Sequence, residues 1–460
     1  EEHMVLDASS GEVTIDDAAH KEALDYYVSL LPYAPAGAAQ LDWAGAQNLF
    51  YQGNLAMMRF WGHAYRQTPE DSPVKDDIGV APMIGLRVEQ AFLLADVLPQ
   101  FRQLGEGHLR GRLPGGESGN NMAKIVNVLN DMDAVPGATV TRYCASSIQT
   151  SRMAFHAIKA GEGDVFISAG VEMVSRFVKG NSDGLPDTKN PVFNEAQAKA
   201  AKAAESGADT WVDPRESGDI PDVYIAMGQT AENLALIKDV SRQEMDEYAA
   251  RSQQLAVESI DNGFWAREIT PVTTPDGTVV SQDDGPRRGT TVEALSGLKP
   301  AFRPDGRATA GNACPLNDGA AAVVVMSDTK AAELGLTPLA RIVSTAVTGL
   351  SPEIMGYGPV DASKLALQRA GMSIGDIDLV EINEAFAAQV IPSYRDLGID
   401  IDRLNVNGGA IAVGHPFGMT GARITGTLIN GLQTRDKTFG LETMCVGGGM
   451  GMAMVLERLS

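Results

Sequence analysis

The chain has 460 residues, 44% of them hydrophobic, enough for about three domains and a large core. Its formal net charge of −22 argues against nucleic acid and anionic membrane as general partners, since both require basic surface. The three cysteines, Cys144, Cys314 and Cys445, are too sparse for a disulfide framework and point to a reducing cytoplasm. No basic, apolar leader and no apolar run of roughly 18 residues is present, so neither export nor a membrane span is expected.

Residues 1 to 85 differ in composition from the rest of the chain: half of the ten tyrosines and three of the six histidines fall within the first 65 positions. Helical periodicity is readable over 18–31 and 43–58. The stretches Glu22-Ala-Leu-Asp-Tyr-Tyr-Val, Ala46-Gln-Asn-Leu-Phe-Tyr-Gln-Gly-Asn-Leu-Ala-Met-Met and 74–82 resemble a fragment of a periplasmic sugar-binding protein of the ABC-transporter type. The fragment lacks the two lobes of a sugar cleft, so no binding residues are inferred from it. Residues 86–112 fit no family; 88–104 read as a helix and 106–112 as loop.

From Leu113 strand-like and helix-like runs alternate. A helix is expected over 121–129 and a strand over 138–143, ending at Cys144. Ser146 and Ser147 then open a helix whose apolar positions include Ile148, Phe155 and Ile158, closing at Gly161-Glu-Gly163. A buried strand comes next, at 165–169. Residues 177–307 are polar and helix-rich, and read as an insertion with a solvated alanine/lysine helix at 196–205. Then come a strand at 321–326, a short helix near 330–334, strands at 339–344, 377–382, 404–406, 439–444 and 452–456, and helices at 362–370 and 420–432. The alternation implies a largely parallel, doubly covered sheet. The two α/β stretches echo one another, which suggests a duplicated unit.

Cys144 falls where a helix begins, and there free N–H groups and the helix dipole favour a thiolate nucleophile. Most free cysteines are instead small core residues. Three further motifs sit near strand ends: Asn383-Glu-Ala-Phe386, the glycine-rich loop around His415-Pro-Phe-Gly418, and Cys445-Val-Gly-Gly-Gly449. One nucleophilic thiol, an imidazole and a second thiol would make an acyl-transfer site. Glycines at 447–449 would let backbone N–H groups approach a reacting oxygen. Each motif also has a structural reading: a histidine held in a loop, a turn after a strand, a helix cap.

Together these motifs, in this order, resemble the thiolase family of acetyl-CoA acyltransferases over about residues 113–460. The resemblance implies two similar α/β halves with mixed sheets between helices, plus a helical loop domain. The N-terminal half spans 113–176 and 308–336, the loop domain 177–307 and the C-terminal half 337–460. It implies that Cys144 is acylated, that His415 activates it, that Asn383 holds a water in an oxyanion hole, and that Cys445 moves a proton on the acetyl α-carbon. The backbone N–H groups of Cys144 and Gly447 match a second oxyanion hole. Coenzyme A and acyl-CoA are the implied substrates, with Met227 and Arg287 in the loop domain and Cys314 and Phe386 nearby as contacts. No permanently bound cofactor or metal is implied, and a homodimer or homotetramer is.

Two departures stand out. Cys314 replaces a serine common in the family, and a thiol is the weaker hydrogen-bonding group. No Arg-Thr-Pro-type first strand precedes Leu113, so the amino-terminal half is expected to be incomplete and residues 1–112 to form a foreign or misjoined leader. The alternatives are a ketoacyl-synthase-like condensing enzyme, which would use two histidines with its cysteine, and an impaired thiolase body fused to a solute-binding fragment.

Overall fold

The computed structural model describes residues 121–174, 189–274 and 277–460. The readings of 1–112, the sugar-binding likeness and the missing first strand among them, lie outside the described residues.

The first described helix, α1 (Met122–Leu129), is capped by Asn121, whose side chain accepts from Lys124 N and donates to the Gly137 carbonyl at 2.7 Å. The expected strand before Cys144 is a correction: residues 138–142 carry no ladder. Their β-branched side chains favour a strand only when a neighbouring strand packs beside them, and none pairs with them among the described residues. Their polar groups go elsewhere. Thr139 Oγ1 accepts from Ala123 N, and Arg142 N donates to Ser146 Oγ. A single 3₁₀ turn, Tyr143–Ala145, leads directly into α2 (Ser146–Ala160), two residues earlier than the first apolar position suggests. Gly161, at φ 74°, ends it as expected.

Strand β1 (Val165–Met173) pairs antiparallel with β4 (Asp318–Met326). Between them the insertion forms α3 (Asn194–Ser206), α4 (Met227–Ile237), α5 (Arg242–Asp261) and the hairpin β2 (Val272–Thr273) and β3 (Val279–Val280). The alanine/lysine helix is α3; Ala196 is its one buried residue.

The second half carries β5 (Ala340–Gly349), α6 (Gly358–Ala370), β6 (Leu379–Ile382), α7 (Ala387–Leu397), α8 (Thr420–Thr434), β7 (Phe439–Val446) and β8 (Met450–Arg458). The sheet order is β5-β8-β7-β6. Only β6 and β7 are parallel, because the Gly447–Gly449 turn folds β8 back on β7. The sheet is therefore mixed, as the family resemblance implies and unlike the largely parallel sheet implied by alternation alone. The expected strand at 404–406 is reduced to isolated bridges. Asn405 has φ 44° there, and its side chain takes over the ladder, accepting from Ile382 N and donating to Ile382 O. Helix α7 was not legible because Pro392 stands inside it, where a proline ordinarily ends a helix.

Helix α8 packs against both β1–β4 and β6–β7. Its start abuts the start of α2: a Cβ on Gly421 would stand 2.5 Å from Ile148 N. Ser147 fastens the two, donating to Met419 O and accepting from Ala422 N. This junction sets the Cys144 turn beside the His415 loop.

Candidate active site

Tyr143 precedes the nucleophile candidate with φ 45°, a left-handed conformation that costs a bulky residue strain. Its ring lies over Gly447, where a Cβ would come within 2.9 Å of it. Gly447 is thus both part of a turn and the floor under the residue next to Cys144. Cys445 lies inside β7 rather than after it.

All three cysteines are free. Burial raises the thiols of Cys314, to about 12, and of Cys445; Cys144 adds to both, and Cys314 adds to Cys445. Cys314 is held by its backbone N–H, which donates to Ala385 O within the Asn383–Phe386 motif. Burial pushes the Cys144 thiol up to about 12; its own backbone N–H opposes this and Glu172 adds to it. The helix start therefore does not yield the depressed thiol that its position suggests, because burial outweighs the dipole. Glu172 accepts from Gly418 N, tying β1 to the His415 loop.

His415 is buried, 1% exposed. Nδ1 lies 2.6 Å from Thr420 Oγ1, and that hydroxyl donates to the Pro416 carbonyl at 2.8 Å. A hydroxyl has one proton. With it directed at Pro416, the oxygen accepts from Nδ1–H, which leaves the lone pair on Nε2. Asn383 Nδ2 donates to Nε2 at 3.1 Å, an orientation fixed by the same network. Burial, then the charge of Arg423, lowers His415 to about 3. The resting pair is thus a neutral thiol and a neutral imidazole. Asn383 Oδ1 is buried without a partner among the described residues, an acceptor suited to a bound water's proton.

Asn383 follows β6, and its backbone N–H donates to Thr443 O on β7, two residues before Cys445. Glu384, next in the chain, is fully buried and accepts from Tyr248 and Ser252 of α5, from Asn405 Nδ2, and from Ile411 N in the glycine loop. It fastens the insertion to the loop bearing His415. The sequence reading missed Thr420 and Glu384 as supports; the Glu next to Asn383 was visible only as a helix cap.

Among the remaining candidates, Phe386 packs edge-on against Phe302, with ring centres 5.4 Å apart, and shares an apolar cluster with Met227 and Cys445. Arg287 is exposed; its backbone N–H donates to Gln253, which donates to Ile411 O. The structure joins Asn383 to His415, sets Phe386, Met227 and Cys445 in one apolar cluster, and leaves Arg287 exposed within the insertion, tied by its backbone to Gln253 of α5. Among the described residues no cluster of metal-ligating side chains occurs, and no helix is long and apolar enough to cross a membrane.

The thiolase N-terminal domain model matches residues 107–329 and the thiolase C-terminal domain model residues 336–458. A 3-ketoacyl-CoA thiolase from Saccharophagus degradans is 44% identical over 75% of this chain and 83% of its own length. The chain belongs to the thiolase family. An acetyl-CoA acetyltransferase from Escherichia coli is likewise 44% identical, over 71% of this chain and 81% of that protein. Among solved structures, human mitochondrial 3-ketoacyl-CoA thiolase in complex with CoA superposes with a TM-score of 0.64 at 34% identity, covering 75% of this chain and 84% of that one. The dimeric peroxisomal thiolase of Saccharomyces cerevisiae gives 0.65 at 34% identity, over 74% and 81%. Both thiolase domain matches begin after residue 106, and no comparison bears out the sugar-binding likeness of the residues before it.

Proposed function

We propose that this thiolase cleaves 3-ketoacyl-CoA to acetyl-CoA and a shortened acyl-CoA, or runs the reverse Claisen condensation, with the acyl group carried on Cys144. The observation that supports this most directly is His415: buried, neutral, with its Nε2 lone pair fixed by Thr420 on one side and Asn383 on the other.

In the degradative direction Cys144 gives its proton to His415 as Sγ adds to the keto carbonyl. Collapse of the adduct breaks the bond between the α and β carbons, and acetyl-CoA departs as an enolate. Cys445 donates its proton to that carbon. Coenzyme A then gives its thiol proton to the Cys445 thiolate and attacks the acyl-Cys144 thioester; the shortened acyl-CoA leaves, and the Cys144 thiolate released takes its proton back from His415, a ping-pong course. The enolate oxygen needs preorganised donors, supplied by His415 and a water on Asn383; the N–H groups of Cys144 and Gly447 would serve the tetrahedral adduct.

Coenzyme A would lie along residues 177–307, with Met227, Cys314 and Phe386 beside its pantetheine and Arg287 near its nucleotide. The division into halves at 113–176 with 308–336, and at 337–460, belongs to the same reading. So do a dimer or tetramer and a cytoplasmic setting. The relatives' names favour this over a ketoacyl synthase, as does Cys445 where those enzymes use histidine. The test is thiolysis of acetoacetyl-CoA by coenzyme A, followed as loss of enolate absorbance, with a series of longer 3-ketoacyl chains. Cys144→Ala should abolish turnover. Turnover surviving that substitution, or an inert wild-type chain that still binds coenzyme A, would overturn the reading.

A further inference from the structure

The strands that lead to Asn383 and to Cys445 carry buried charged groups that the acyl-transfer steps do not use. Glu381 on β6 and Glu442 on β7 face each other in register on parallel strands, 3% and 0% exposed. Neighbouring strands lie about 4.8 Å apart, so the two carboxyls come within reach of each other. Thr425 of α8 donates to Glu442 Oε1 at 3.0 Å, whereas Glu442 Oε2 is buried without a partner among the described residues. Arg423 stands one turn past Thr420 on the same helix, and its Nη1 too is buried without a partner among the described residues. The guanidinium acts in both directions: it lowers His415, and it draws Glu381 and Glu442 down against the burial that raises them.

Two carboxylates side by side in an interior cannot both stay ionised. The unpartnered Oε2 gives one of them an O–H to make or accept. We propose that Glu381 and Glu442 share one proton and, through Arg423, set how readily His415 takes the Cys144 proton, which makes all three positioning residues for the reaction. While the pair holds its proton, its single negative charge balances Arg423. When that proton leaves, one uncompensated negative charge remains beside His415 and raises its proton affinity. The other charged groups facing the cluster are Glu268, from the stretch before β2, Asp283, from the loop after β3, Glu384 and Arg435. Thr427 and Asn430 of α8 already donate to Glu268. The inference rests on the proposed role of His415 toward Cys144.

The test compares the wild-type chain with Glu442→Gln, measuring kcat/KM for acetoacetyl-CoA thiolysis and the rate of Cys144 alkylation by iodoacetamide from about pH 6 to about pH 10. The wild-type profiles should contain an inflection from the pair. Glu442→Gln should move it down by about one pH unit or more, because the remaining carboxyl then faces a neutral amide. The effect should fall on kcat rather than on KM. Superimposable profiles would overturn the proposal. An infrared difference spectrum of the resting protein gives a readout that needs no turnover: Glu442→Gln, and independently Glu381→Gln, should each lose a protonated-carboxyl stretching band. Retention of that band in both would also overturn it. Thiolysis by Cys144→Ala would sink the thiolase reading instead and leave the infrared result standing.

Discussion

Asn383 donates its side-chain amide to Nε2 of His415 across 3.1 Å and keeps its own Oδ1 buried, without a partner among the described residues. The amide thereby marks the lone-pair side of the ring and leaves an acceptor pointing where a water would be held. Asn383→Ala should lower kcat for thiolysis by about 10²–10³-fold, the usual cost of losing one oxyanion donor, with KM for acetoacetyl-CoA little changed. A loss confined to KM would assign Asn383 to substrate binding.

Thr420 fixes the other ring nitrogen. Thr420→Val keeps the shape of the side chain but removes the acceptor of Nδ1–H, leaving that buried group unpaired. An unpaired buried donor costs about 1–3 kcal/mol. A lower urea midpoint and a reduced kcat should appear together. Unchanged kcat in a destabilised variant would mean that the tautomer does not depend on this hydroxyl.

Cys144, half-buried, should behave as an unactivated thiol in the absence of substrate. With burial holding it up to about 12 and His415 down to about 3, no thiolate–imidazolium pair forms at rest. Its alkylation by iodoacetamide should keep rising with pH through about pH 10, since only the thiolate reacts. A plateau near neutral pH would reveal a preformed ion pair.

The motifs proposed to carry the chemistry were legible in sequence because each is a short run of unusual chemistry: a cysteine before two serines, Asn383-Glu384, His415 among glycines, Cys445 before three more. Their supports were not. Thr420 looks like any helix-starting residue, and its bond to His415 depends on the loop between them closing back. Glu384 gains its meaning from Tyr248 and Ser252, more than 130 positions away in the chain. The strand expected before Cys144 failed for a related reason, since strand propensity is realised only beside a partner strand. At 404–406 the side chain of Asn405 substitutes for the backbone ladder, which no period-two pattern can signal.

Glu384→Gln tests that support. The carboxylate accepts four hydrogen bonds, and an amide would turn one oxygen into a donor facing donors. Bonds to a charged group are worth about 1.5–3 kcal/mol each, so the variant should lose about 3 kcal/mol or more in urea unfolding. It should also lower kcat, because the glycine loop carrying His415 is released from α5. A variant as stable as the wild type would remove Glu384 from this role.

Glu381 makes a prediction about stability alone. Burial raises its carboxyl from an ordinary 4.5 to about 8 in the folded chain. A carboxyl raised on folding contributes stability that is fully present below the unfolded value. That contribution is lost as the pH climbs from about 4.5 through about 8, because the unfolded chain releases its proton first. Glu381→Gln has no such proton to release. Its unfolding free energy should therefore gain on the wild type by a few kcal/mol between about pH 5 and about pH 8, whatever its absolute value at either end. Two urea titrations of each protein, one at each pH, decide it: a wild type and variant that change in parallel would mean that Glu381 already ionises like an exposed carboxylate.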